Sequence, residues 1–530
     1  MKNNKNRGLL ASAGALVTAV ALALGGAASA QAAQPLPVPT SSDVTITKYT
    51  EGVASGAAAN GVQAGQQGGP SIPAGATTLN GVRFDYYLVT DTGLGGAHDI
   101  GTNAGQAYAA GLTAATAPVP SNATGQFPVT ANGGVATVNA MPRGLYVVRE
   151  AVTPAGYTPA APFLLAVPLT NPVPGAAGSA AGWLDHIYVY PKNAKFGVDK
   201  SFTEVVPAAD SGASADTIAR KVGDDFKYTI LGDLPTIKGI TNYTVTDTRA
   251  ATLALKNGNT STVKAELVDA SGTPLSGGAQ LAASDYTASN SGNVLTVSVT
   301  DPAGLAKLNA APAGAKLRVT YVATVAANAA ATASPNVENT ATVSVTNDAG
   351  TTTATDNAIV PFGDILIHKV SSQGAANLAG AVFRVYATQA DANAGNATYL
   401  TVNGVNSWTT TAAGTVEIRG LLYSNIVNGV TVTDPTQYRS FYLVEITAPS
   451  GHQLLTAPVK VDVLGKQTAV APDNSVQQVT TITNQANGTG FVLPLTGGMG
   501  TAILTIGGIV ILALVLIVAR RRRDAEASAE

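Results

Sequence analysis

Tyr442-Leu443-Val444-Glu445-Ile446-Thr447-Ala448-Pro449-Ser450-Gly451-His452 decides the fold. A strand-like apolar run carries a carboxylate and stops at a Pro-x-Gly turn, since proline lacks an amide donor and glycine tolerates turn backbone. The same order occurs earlier, as Tyr146-Val147-Val148-Arg149-Glu150 followed by Pro154-Ala155-Gly156-Tyr157. Lys48 and Gly81-Val82-Arg83-Phe84 precede the first copy; Lys369 and Gly380-Ala381-Val382-Phe383 precede the second. Each copy then closes on a strand ending in asparagine, Tyr188-Val189-Tyr190-Pro191-Lys192-Asn193 and Thr481-Ile482-Thr483-Asn484. Glutamate and asparagine lie 43 residues apart in the first copy and 39 in the second. Two unrelated domains would not share this order, so it marks a duplicated domain type.

Between the chain ends, short runs rich in Val, Thr and Tyr alternate with Gly, Pro, Asn, Asp and Ser, and long helical periodicity is missing. Val44-Thr45-Ile46-Thr47-Lys48-Tyr49 is one such run; 84–89, 317–325 and 341–345 are others. The fold class is therefore all-β, with three tandem immunoglobulin-like β-sandwich domains. The expected division is 33–193, 194–361 and 362–490. The middle segment differs in pattern: Lys200 sits in an early strand, Asp247 ends Tyr243-Thr244-Val245-Thr246-Asp247, and Asn339 stands just before a strand. Loops 51–75 and 92–118 read as solvated excursions rather than core.

The ends give the compartment. Lys2, Lys5 and Arg7 precede an apolar stretch and small-residue cleavage sites at Ala28-Ser29-Ala30 or Ala30-Gln31-Ala32, a secretory signal peptide over 1–32. At the other end, Leu493-Pro494-Leu495-Thr496-Gly497 is followed by an uncharged stretch, 498–519, and then by Arg520 to Arg523. About 20 apolar residues span a bilayer as a helix, and the arginines place the tail in the cytoplasm. Cysteine is absent, which excludes disulfide staples, and four scattered histidines supply no metal cluster or His-based triad. No cofactor is expected. A net charge of −2 with 12% charged residues offers no nucleic-acid patch.

A lysine on a first strand, an asparagine on a last strand and a carboxyl group between them carry a specific chemistry if buried together. Desolvation lowers the lysine pKa and raises that of the acid. A neutral amine can then attack the asparagine carbonyl, polarised by the protonated acid, and expel ammonia to leave an amide cross-link. Around Lys192, Tyr188 and Tyr190 share one strand face and Ile187 and Val189 the other. Pro191 ends the regular ladder there, leaving Lys192 hydrated and accessible.

These residues resemble the major shaft subunits of sortase-assembled pili (fimbriae) of Gram-positive bacteria, of the actinobacterial type. The resemblance implies CnaA- and CnaB-type sandwiches. It implies a middle Lys200–Asn339 isopeptide bond made with Asp247, and a C-terminal Lys369–Asn484 bond made with Glu445 in an "E-box". Against that family's Glu-Thr-x-Ala-Pro-x-Gly-Tyr, this chain has Ile446 and His452. Lys48, Glu150 and Asn193 form an analogous triple; family members with and without a bond at this place both exist. The resemblance further implies that a pilus-specific sortase cuts after Thr496 of Leu493 to Gly497 and joins that threonine to Lys192 of another copy. The expected partners are thus the protein itself, the sortase, peptidoglycan at the fibre base, and a host or bacterial receptor. The rival readings are a monomeric wall-anchored adhesin and a base pilin. A hydrolase would need a nucleophile and base that the sequence does not supply.

Overall fold

The structure is a computed structural model and describes residues 37–50, 60–72, 74–172, 182–207, 217–236, 238–330, 334–348, 350–464, 477–487 and 499–526. The signal peptide and the Leu493 to Gly497 motif lie outside these. The chain is all-β, in tandem immunoglobulin-like sandwiches. It forms two compact units: 1–216 with 226–324 and 338–359, and 217–225 with 325–337 and 360–530.

In the first unit, strand Ser41–Thr47 lies between Val135–Pro142, antiparallel, and His186–Val189, parallel. A second sheet runs Gly125–Gln126, Arg83–Leu88, Gly144–Val152, Phe163–Val167. Val44, Ile46, Phe84, Val148 and Ile187 form a fully buried core in this sandwich. Further along the same unit, Val198–Thr203, Asp225–Asp233 and Lys316–Val325 pair side by side, and Asn242–Arg249 lies between Val294–Val299 and Asn336–Asn347. Burial alternates residue by residue along Asp225–Asp233 and Asn336–Asn347, as a two-residue repeat requires of strands with one face inward.

The loop expectation for 92–118 is corrected. This segment contains helix Asn103–Ala110, capped by the Thr102 side chain, and a second core. Tyr108, Leu112, Ala114 and Ala117 pack with Val89, Leu145 and Val147. The cause lies in Gly144–Val152, whose first five residues are all buried, because a strand covered on both faces reads as a continuous apolar run. Tyr146 and Val148 face one core, Leu145 and Val147 the other. Part of the 51–75 loop is also ordered against the chain: Tyr188 donates its N–H to Gly61 O at 2.9 Å, and Ala64 N–H bonds the Tyr190 hydroxyl at 2.6 Å.

In the second unit, the later half of strand Gly350–Ser371 pairs antiparallel with Thr415–Leu422 and parallel with Gln477–Asn484. The other sheet runs Trp408–Thr409, Val382–Tyr386, Phe441–Thr447, Val459–Val461. Helix Met499–Glu526 ends the described chain; its Leu504–Arg523 stretch is long and apolar enough to cross a membrane.

Candidate functional site: buried lysine clusters and one exposed lysine

The duplication extends to individual hydrogen bonds. Lys48 donates its N–H to Gly134 O at 2.8 Å and accepts from Leu79 N–H at 2.9 Å; Lys369 does the same with Gly414 (2.7 Å) and Leu378 (2.9 Å). Gly134 and Gly414 hold φ of +77° and +71°, and a Cβ on either would stand 2.5 or 2.7 Å from the lysine carbonyl oxygen. Glycine is therefore required at both. The Thr130 hydroxyl bridges Val82 N–H and Leu79 O, while that of Thr410 bridges Ala381 N–H and Leu378 O. These bonds pin the lysine-bearing segment to the strand that follows it.

Parallel pairing then sets the asparagine. Thr50, two residues beyond Lys48, faces Asn193; Ser371, two beyond Lys369, faces Asn484. The opposite sheet supplies the acid at a matching place, since Phe84 pairs with Glu150 and Phe383 with Glu445. Both phenylalanines also wall the amines, with Lys48 Nζ 5.3 Å from the Phe84 ring centre and Lys369 Nζ 6.0 Å from that of Phe383.

In the first cluster, Lys48 Nζ donates to Glu150 Oε2 at 2.9 Å and Asn193 Nδ2 donates to Glu150 Oε1 at 2.6 Å. Thr153 and the Ala160 N–H also bond this carboxylate. In the C-terminal cluster, Lys369 Nζ bonds Asn484 Oδ1, lies 3.2 Å from Ile482 O and stands 3.7 Å from Glu445. Asn484 Nδ2 donates to both Glu445 oxygens, at 2.9 and 2.8 Å. His452, the departure from the E-box pattern, bonds Ser371 Oγ at 2.9 Å and touches neither lysine nor carboxylate.

The middle cluster is built differently. Lys200 and Asn339 sit in different sheets, on Val198–Thr203 and Asn336–Asn347. Lys200 Nζ bonds Asp247 Oδ2. Asp247 Oδ1 accepts from the Tyr321 hydroxyl at 2.9 Å, and that hydroxyl accepts from Asn339 Nδ2 at 2.5 Å. Sequence reading missed Tyr321; its only signal was an aromatic in a strand that reads as ordinary core.

Burial sets the electrostatics. The side chains of Lys48, Lys200, Lys369, Glu150, Asp247 and Glu445 are all fully buried. Desolvation pushes the Lys48 amine down to about 8 although Glu150 opposes the shift. It likewise lowers Lys200 against Asp247 and Lys369 against Glu445, and raises Asp247 against Lys200. A buried pair in which the amine's proton moves to the acid becomes two neutral groups, which a low-dielectric interior favours. The acids face the amide NH₂ of Asn193 and Asn484 rather than the carbonyl, because a carboxylate beside an ammonium is an acceptor only.

Lys192 contrasts with its neighbour: it is exposed, whereas Asn193 is fully buried. Pro191 interrupts the ladder after His186–Val189, but Lys192–Asn193 resumes it as a two-residue strand beside Tyr49–Thr50. Lys192 lines a groove of 410 Å³ with Leu164, Ile187 and Pro191. The Thr496 end lies outside the described residues. No cluster of three or more His, Cys, Asp or Glu suited to a metal occurs among the described residues.

Tandem sandwiches followed by an anchor segment define a cell-surface structural protein. Residues 39–194 match the Gram-positive pilin subunit D1 N-terminal domain, 363–485 a prealbumin-like fold domain, and 485–526 the LPXTG cell wall anchor motif. The matched domains are those of Gram-positive pilin subunits, which bears out the resemblance to actinobacterial major pilins of sortase-assembled fibres. The chain is a structural subunit rather than an enzyme, and a cell-surface pilus protein whose precursor is held at the membrane.

Among relatives, it is 29% identical to the fimbrial subunit type 1 of Actinomyces viscosus, over 72% of this chain and 73% of that one. It is 27% identical to the fimbrial subunit type 2 of Actinomyces naeslundii, over 74% and 72%. The full-length major pilin SpaD of Corynebacterium diphtheriae shares the fold, with a TM-score of 0.56 at 23% identity, covering 86% of this chain and all of that one.

Proposed function

We propose that this chain is the major shaft subunit of a covalently polymerised pilus. A sortase joins Thr496 of one copy to Lys192 of the next, and the fibre reaches peptidoglycan only at its base. One observation carries the reading: an exposed lysine stands one residue from a fully buried asparagine, so a single strand end serves an external joint and an internal cross-link. Each subunit then has one acceptor and one donor, which specifies a head-to-tail polymer. The expected domains are 33–193, 194–361 and 362–490.

Within the subunit, Lys200–Asn339, Lys369–Asn484 and Lys48–Asn193 become amide bonds with loss of ammonia, using Asp247, Glu445 and Glu150 as proton carriers. The equivalence of the first and last clusters supports including Lys48–Asn193. Such bonds suit a fibre, because a segment closed by one cannot be pulled out without breaking a covalent bond. The test is a ladder of SDS-resistant multimers in cells expressing the protein and its sortase. Lys192→Ala and Lys192→Arg should both abolish it, since arginine keeps the charge but offers no nucleophilic amine. A ladder that persists would remove Lys192 as the acceptor; a wild type with no ladder would favour the monomeric adhesin.

A further inference from the structure

The three clusters differ in what touches the asparagine nitrogen that must leave. Glu150 and Glu445 reach it directly, at 2.6 Å and at 2.9 and 2.8 Å. Aspartate is one methylene shorter, and no bond joins Asp247 to Asn339 among the described contacts. Tyr321 fills the gap, with its hydroxyl 2.9 Å from Asp247 Oδ1 and 2.5 Å from Asn339 Nδ2. It reaches there from strand Lys316–Val325, is 1% exposed, and stacks on Tyr228 at 5.4 Å between ring centres. Asn339 Oδ1 and the Tyr228 hydroxyl have no hydrogen-bond partner among the described residues.

We propose that Tyr321 is a catalytic residue of the middle cross-link, relaying a proton from Asp247 to the departing nitrogen of Asn339. The inference rests on the cross-linking reading above. The step starts from the neutral Lys200 amine and Asp247 protonated on Oδ1. Nζ attacks Asn339 Cγ and gives a proton to Asp247 Oδ2. Asp247 gives its Oδ1 proton to Tyr321, whose own hydroxyl proton passes to Nδ2. An Nζ–Cγ bond replaces the Cγ–Nδ2 bond, whose electron pair leaves with nitrogen as ammonia. Asp247 ends protonated on its other oxygen and Tyr321 ends unchanged, so the relay needs no outside reagent. Burial, with Asp247 adding to it, pushes the Tyr321 pKa well above its ordinary range, which keeps the hydroxyl proton available at neutral pH.

The test follows closure of the Lys200–Asn339 bond in freshly synthesised protein by intact mass and peptide mapping. Tyr321→Phe keeps the ring and its stacking and should slow closure about 100-fold or more, the usual contribution of a positioned acid–base group. Tyr228→Phe removes a hydroxyl that has no hydrogen-bond partner among the described residues, keeps the ring 5.6 Å from Lys200 Nζ, and should close at the wild-type rate. Wild-type closure in Tyr321→Phe, with Asp247→Asn still blocked, overturns the relay and leaves the cross-link intact. A wild type that keeps its ammonia at this site overturns the cross-link and the relay together. Should Tyr321→Phe fold poorly, 3-fluorotyrosine at position 321 preserves the packing and, being a stronger acid, should change the closure rate; an unchanged rate also overturns the relay.

Discussion

Glu445→Gln separates the covalent bond from the contacts around it. Glutamine is nearly the same size and can still accept from Leu455 N–H, which bonds Glu445 at 3.0 Å. It cannot take up and return a proton, so the Lys369–Asn484 bond should not form. The bond spans 115 positions in sequence. Treated like a disulfide loop, losing it costs about 5 kcal/mol of unfolded-state constraint. Spread over a domain of this size, that lowers the C-terminal melting transition by roughly 15–30 °C. Glu445→Ala should cost more, because it also orphans Leu455 N–H and Asn484 Nδ2, at about 1–3 kcal/mol for each buried group. Intact mass and differential scanning calorimetry on the same sample read both effects. Relative to its own sequence, Glu445→Gln should retain one more ammonia than wild type. Retained ammonia with an unshifted transition would refute the stability reasoning, and a lost ammonia would refute the role of the acid.

Two further outcomes follow from the buried lysines. A free Lys48 amine titrates near 8 in the folded chain against an ordinary value of 10.5, so between these values the unfolded chain holds the extra proton. Stability then rises with pH across that window by roughly 3 kcal/mol, and below it the difference is constant. A Lys48 bonded to Asn193 cannot titrate. Denaturant unfolding of the N-terminal domain should therefore show this rise in Asn193→Ala and not in wild type; a rise in both would mean that the bond does not form. Gly414→Ala places a methyl group 2.7 Å from the Lys369 carbonyl oxygen, while Gly404→Ala, at similar φ, meets nothing within 4 Å. Both bear the left-handed backbone cost of about 1 kcal/mol, and Gly414→Ala should lose at least a further 1 kcal/mol and slow closure of the Lys369 bond. Equal losses would show that the lysine segment shifts freely.

The order of lysine, glutamate and asparagine was readable because strands alternate by twos and the Pro-x-Gly turns bracket the same runs twice. That pattern predicts the facing sheets that bring Lys48, Glu150 and Asn193 together. It could not show Tyr321, whose hydroxyl meets Asp247 and Asn339 only when two sheets close on one another. Gly134 and Gly414 were hidden for a related reason. A glycine in a turn is unremarkable until a carbonyl from a distant strand occupies the space of its missing side chain. The second core under 92–118 was legible in principle. Leu145 to Val148 is a continuous apolar run, and a sandwich strand with one wet face would alternate. Lys192 was placed correctly as exposed, but the short strand it forms with Asn193 depends on its partner Tyr49–Thr50, separated from it by most of a domain.

The joint between copies is tested most directly by mass spectrometry of the SDS-resistant multimers. Proteolysis should release a branched peptide in which the Lys192 side chain carries a chain ending at Thr496. A branch at any other lysine, or multimers with no such peptide, would contradict the account.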